Sequence, residues 1–400
     1  MKIAKSYKKI IGLLMCSQAF YLSAMSVDMT ITALVGIELA PNKIYATVPM
    51  ALISILSVIV APWIPKIASK IGIKTLFVVG GLIAALGGTS SWYSVTAHSF
   101  LFLCIGTSCV GIYQAIANYY RYVASDVSHG NEVRSISLIL SAGVVAAIVG
   151  PVLATWTSQA MLPIYSGAYL LVGFLGLCAM LINSCLPSRE VNQTLTDSST
   201  ASKDERGVQK TVSFLALLKR ASFRNGSLIC LCSCFSMALI MSGAPIFMQN
   251  VLQSSPEQRM MGMQLHMIGM YLPVIMLLFM AKYISTKVQI LVAFGIGMIA
   301  ALISTFDITH VTVMLTLLLI GVFWSLSYAS GSALLTKSYS SEERQSARGK
   351  GELFPVLGLA LGSLLAGPFN QWVTWSAQMD FVLIFILLVL GLILFDWKRI

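Results

Sequence analysis

Charge is what this chain has least of. Asp, Glu, Lys and Arg together make up 10% of 400 residues, and only 15 side chains are acidic. A soluble domain carries about 25% charged residues, so a surface exposed to water on all sides is excluded. Histidine is sparse too, with His98, His129, His266 and His310 scattered along the chain. No Ser/His/Asp or Cys/His arrangement can be assigned, no phosphate-cradling glycine loop occurs, and no Cys-x-x-Cys spacing is present. An enzyme, an ATP-driven pump and a zinc module are therefore not expected. Disulfides are not expected either. Cys16, Cys104, Cys109, Cys178, Cys230, Cys232 and Cys234 fall within apolar segments and Cys185 at the edge of one, so none sits in an outer loop where an oxidising compartment would pair it.

What the chain does have is apolar length. Hydrophobic residues are 57% of the sequence and mean hydropathy is +0.84. The basic start (Lys2, Lys5, Lys8, Lys9) runs into an apolar stretch too long for a signal peptide's core, so it reads as a first span. With that one, twelve stretches of spanning length occur: 10–37, 44–64, 75–95, 100–123, 135–157, 164–185, 226–250, 259–280, 288–306, 311–335, 353–374 and 379–396. The fold class is an all-α membrane protein. On this map all Lys and Arg except Lys43 and Arg259 lie at the termini or on their side. The positive-inside rule makes both termini cytoplasmic and the protein a multi-pass inner-membrane one. The net charge of +11 follows from that topology and from contact with membrane lipids; it requires no nucleic acid.

The only long polar segment, 187–224, separates a six-span bundle (1–186) from a second one (225–400) and reads as a cytoplasmic linker. The two halves echo each other. Gly150-Pro151 interrupts the fifth span with Trp156 after it; Gly367-Pro368 interrupts the eleventh with Trp372 after it. Basic and acidic residues follow the fourth span (Arg121, Asp126, Arg134) and the tenth (Lys337, Glu342, Arg348) at matching places. Duplicated halves of this kind mark a secondary transporter whose solute path runs between them.

With Ser26-Val27-Asp28-Met29-Thr30 in the first span, Gly143 to Gly150-Pro151 in the fifth, and the short basic loop Pro65 to Lys74, the chain resembles the major facilitator superfamily over its whole length. The resemblance implies twelve helices in two pseudo-symmetric halves. Ser69 stands where that basic loop has an Asp, and Thr107 lies where the fourth span usually carries an Arg. Asp28 in a span is costly unless paired or lining a cavity. It is a candidate for coupling, with Arg121, Asp126 and Arg134 as an inner-face gating cluster; a structural hydrogen bond and solvated loop charge are the plainer alternatives.

Two spacings point to chemistry. Met237-x-x-x-Met241 lies in the seventh span and His266-x-x-x-Met270 in the eighth. At i, i+4 each pair shares one helix face, and thioether with imidazole suits Cu(I). Cys230, Cys234, Met237 and Met241 form one stripe, and Met263 joins His266 and Met270 on another. The alternatives are methionine as adaptable filler and an imidazole that donates to a neighbouring carbonyl. The motif pair is similar to that of the CcoA-like transporters (the CalT family), whose namesake imports copper for cytochrome oxidase. The resemblance carries Met237, Met241, His266 and Met270 onto its metal positions, with no resident cofactor. The expectation is copper import, with Cys230, Cys234 and Met263 as accessory ligands and a cytoplasmic copper acceptor as partner. Relatives in the same group resemble riboflavin importers. An organic-solute carrier (riboflavin or siderophore import, or drug efflux) is thus the first rival, and a copper-binding sensor the second.

Overall fold

The computed structural model describes residues 2–127, 132–188, 191–192, 212–280, 284–340 and 343–397. Among them the regular structure is helical. The helices are α1 Lys2–Leu39, α2 Val48–Val60, α3 Ile64–Ile71, α4 Ile73–Thr96, α5 Phe100–Ala117, α6 Tyr120–Val127, α7 Glu132–Ala160 and α8 Ser166–Ser184. They continue as α9 Phe214–Leu218, α10 Ala221–Asn250, α11 Pro256–Met280, α12 Thr286–Phe306, α13 His310–Lys337, α14 Arg344–Gly351, α15 Leu353–Trp372 and α16 Trp375–Phe395. Eleven helical segments among the described residues are long and apolar enough to cross a membrane. The expected eighth span is the helix α11, whose far end carries side chains outside the description.

Local chemistry sets where these helices start and break. Pro62 and Pro65 remove backbone donors, and the second span tightens into a 3-10 turn at Ala61–Trp63 before resuming as α3. Side-chain oxygens of Ser285, Thr309 and Thr374 cap the first turns of α12, α13 and α16. The loop between α3 and α4 turns at Gly72, whose φ of +85° favours glycine. There the Asn192 carboxamide accepts from Ile73 N–H (2.9 Å).

The chain divides into two compact units, 1–41 with 48–205, and 42–47 with 206–400. In the first unit α4 packs on α8 through small residues. A Cβ placed on Gly88 would stand 2.2 Å from the backbone nitrogen of Gly173, so the two backbones touch there, the kind of approach that drives helix association in lipid. In the second unit α10 is the central post, buried along nearly its whole length from Phe223 to Met248. Its apolar face joins α12, α13 and α16 in one core that includes Leu239, Phe294, Phe323 and Ile386. At the linker end, Arg220 grips Glu343 bidentately (2.6 and 2.9 Å) and also donates to the Ser338 carbonyl. Hydrogen bonding to Glu343 raises the Arg220 pKa above its usual value. Arg224 pairs with Asp396 nearby.

Candidate functional site

Helix α13 is the ruler on which the second unit's soft side chains can be placed. It runs antiparallel to α10: Gly331 meets Cys230, and the indole Nε1–H of Trp324 donates to Cys234 Sγ (3.2 Å). Met237 lies three residues beyond Cys234, and Gly321 three residues beyond Trp324 in the same direction. At about 1.5 Å of rise per residue, Met237 is level with Gly321 and Met241 with Leu317.

The same stretch of α13 receives α11. A Cβ on Gly321 would stand 2.4 Å from the carbonyl oxygen of His266, and one on Gly269 would stand 2.3 Å from that of Leu318. The imidazole Nδ1 of His266 lies 2.8 Å from the Leu317 carbonyl oxygen. A carbonyl can only accept, so Nδ1 carries the proton and donates, leaving Nε2 with its lone pair in the neutral ring. That nitrogen is buried with no partner. Met263 and Met270, at 1% and 4% exposure, flank His266 on the helix.

The four residues singled out by spacing therefore share one depth and one neighbouring helix. The carbonyl bond expected of a packing histidine is also present. Cys230 and Cys234 are buried against α13, where Cys234 serves as acceptor for Trp324. Groups of three or more His, Cys, Asp or Glu able to hold a metal do not occur among the described residues; the set at this depth consists of thioethers and one imidazole. All eight cysteines are free thiols.

Among the described residues of the first unit the buried acid is Asp28, 1% exposed. Its Oδ1 accepts from Thr32 Oγ1 (3.2 Å), which in turn accepts from the Tyr169 hydroxyl (3.3 Å). Oδ2 is buried without a partner. Sequence reasoning missed Thr32 and Tyr169. The signal for Thr32 was its i+4 place from Asp28; Tyr169, on α8, carried none. A Cβ on Gly150 would fall 2.2 Å from Ser26 Oγ, so the glycine of the Gly-Pro pair lets α7 close on α1 two residues from Asp28. Arg121 donates to the Tyr122 hydroxyl (3.3 Å) and stands 5.0 Å over that ring. The side chains of Asp126 and Arg134 lie outside the described residues, as does Glu342.

The Major Facilitator Superfamily model matches residues 13–306. The chain belongs to that superfamily. This superfamily member is 27% identical over 384 residues to the riboflavin transporter RfnT of Brucella anthropi, covering 93% of this chain and 92% of that one. It is 23% identical to YddS, an uncharacterized transporter of the same superfamily from Bacillus subtilis, over 90% of this chain and 84% of the other. Among solved structures it resembles the nucleoside transporter NupG (TM-score 0.69, 15% identity, 99% of both chains). It also resembles the human organic anion transporter MFSD10 (TM-score 0.66, 14% identity, 97% of this chain and 99% of that one). At such identities these two likenesses establish the fold. The protein is a multi-pass membrane transporter of the major facilitator fold.

Proposed function

We propose that this carrier imports an uncharged organic solute of the riboflavin class across the inner membrane, with both termini in the cytoplasm. The observation that supports it best is the end-to-end likeness to a riboflavin transporter, which spans 93% of the chain. The geometry agrees with it. Cys234 is engaged by Trp324 and His266 by the Leu317 carbonyl, so these side chains already serve helix packing. Asp28, buried and bonded on one oxygen only, is the coupling group: it takes a proton on the side where the solute enters and loses it on the other. The test is uptake of radiolabelled riboflavin into inverted and right-side-out vesicles holding the chain. Accumulation above empty vesicles is expected; its absence in both orientations rejects the reading.

A second reading is copper import, and one observation favours it. His266 Nε2 keeps a buried lone pair while Nδ1–H is tied to a backbone carbonyl, the arrangement that orients a metal-ligating imidazole. Met263 and Met270 flank it, Met237 and Met241 lie level with it, and all four are buried. Here copper is the substrate, Cys230 and Cys234 take it up on exit, and a cytoplasmic acceptor receives it. Copper uptake in the same vesicles, lost in His266→Ala while riboflavin uptake persists, would establish both cargoes. Copper uptake equal to that of empty vesicles removes the second.

A further inference from the structure

The second unit holds a cavity of about 470 Å³ at the end of α10 away from the linker, where the loops after α10, before α13 and between α15 and α16 meet. Its volume falls in the range of small-molecule sites, about 300–1,000 Å³. Among the described residues no Lys, Arg, Asp or Glu lines it. The rings of Phe247 and Trp375 stack with centroids 4.5 Å apart and planes 18° from parallel, and both residues line the cavity.

Two of the lining residues carry an unmet donor sealed just behind the cavity wall. The indole Nε1–H of Trp375 and the carboxamide Nε2 of Gln378 are buried with no hydrogen-bond partner, on residues 3% and 1% exposed. They sit at i and i+3 in the first turn of α16 and so share a face. A buried donor without an acceptor is uncommon and calls for an explanation. Space is also kept for the amides: a Cβ on Gly243 would stand 2.5 Å from Asn370 Nδ2 and 3.6 Å from Gln378 Nε2. The lining thus offers aromatic surface, hydrogen-bond donors and no charge. An ion finds no counter-charge there, and an acyl tail leaves both donors bare.

We propose that this cavity binds an uncharged, planar heteroaromatic molecule beside the Phe247–Trp375 wall, and that the Trp375 and Gln378 side chains turn toward it so that its carbonyl or ring-nitrogen acceptors take hydrogen bonds from their buried N–H groups. The choice of probe rests on the riboflavin reading above; the cavity does not. The experiment measures binding of tritiated riboflavin to the purified full chain in lipid nanodiscs by scintillation proximity. Trp375→Phe keeps the ring and removes the donor, and Gln378→Leu removes the other. Each is expected to raise Kd about tenfold, the loss of one buried hydrogen bond. Val251→Trp is a third variant, at a 64%-exposed position in the cavity lining. It fills the mouth without disturbing the core and is expected to abolish binding. Unchanged Kd in all three variants, or no binding by the unmodified chain, overturns the proposal. Vesicle uptake on the same preparations separates the two readings. Donor-dependent binding without uptake rejects riboflavin import and keeps the cavity. Uptake with binding indifferent to the three substitutions does the reverse.

Discussion

A carboxyl group with one bonded oxygen and one bare one is expensive inside an apolar bundle, because an unpaired buried charge loses its hydration. Asp28 bears that cost in the first unit, steadied by the Tyr169–Thr32 chain. The Asp28→Asn variant keeps an oxygen for Thr32 and cannot ionise. It is expected to reach normal membrane levels and to exchange solute across the bilayer, but to lose accumulation driven by an imposed proton gradient. Gradient-driven uptake at the unmodified level would remove Asp28 from coupling. His266 has the complementary character, a neutral ring with one nitrogen satisfied and the other open. Both residues stood out in the sequence because an ionisable group in an apolar run is visible without any structure. Their partners did not: a threonine, a tyrosine and a backbone carbonyl are ordinary residues until packing brings them within 3.3 Å.

Helices in lipid associate by shape, since the surrounding tails are as apolar as the side chains. Gly88 against Gly173 is the sharpest instance in the first unit. Because backbone lies on both sides, Gly88→Val has nothing flexible to displace. A loss of about 1–3 kcal/mol is expected from overpacking, read as a lower melting temperature in detergent. An unshifted melting curve would mean that α4 and α8 separate at no cost. The Arg220–Glu343 bridge ties the start of α10 to the turn before α14 by a different force. The arginine side chain is 36% exposed and the glutamate 15%, so solvent screens the pair and its worth is about 1 kcal/mol or less. The raised Arg220 pKa contributes stability below the residue's ordinary value, lost only as pH climbs through the raised one. Across the neutral range pH therefore does not touch the arginine's side of the pair, whereas salt does. A double-mutant cycle on Arg220→Ala and Glu343→Ala should show coupling that shrinks as salt rises; coupling indifferent to salt would rule out an ionic origin.

For the whole molecule, the charge distribution predicts which loops face which side. Ser255 and Ser285 are exposed residues at opposite ends of α11. In a chain whose exposed Cys16 and Cys185 are replaced by serine, Ser255→Cys should react with a membrane-impermeant maleimide on intact cells. Ser285→Cys should react only after the membrane is opened. The opposite pattern would invert the topology. The sequence alone determined the all-helical membrane class, the run of apolar segments and the place of Asp28 and His266 inside two of them. These depend on how each segment partitions between water and hydrocarbon, a property read along the chain. Only the tertiary structure decided which side of each helix meets a neighbour: that Cys234 serves Trp324, that His266 turns to the Leu317 carbonyl, and that residues near 247, 308 and 375 line one cavity. Long spans such as α4, α13 and α16 have faces nearly equal in hydropathy, so their lateral pairing is set by the fit of glycines, rings and isolated donors. That fit exists only once distant segments have met.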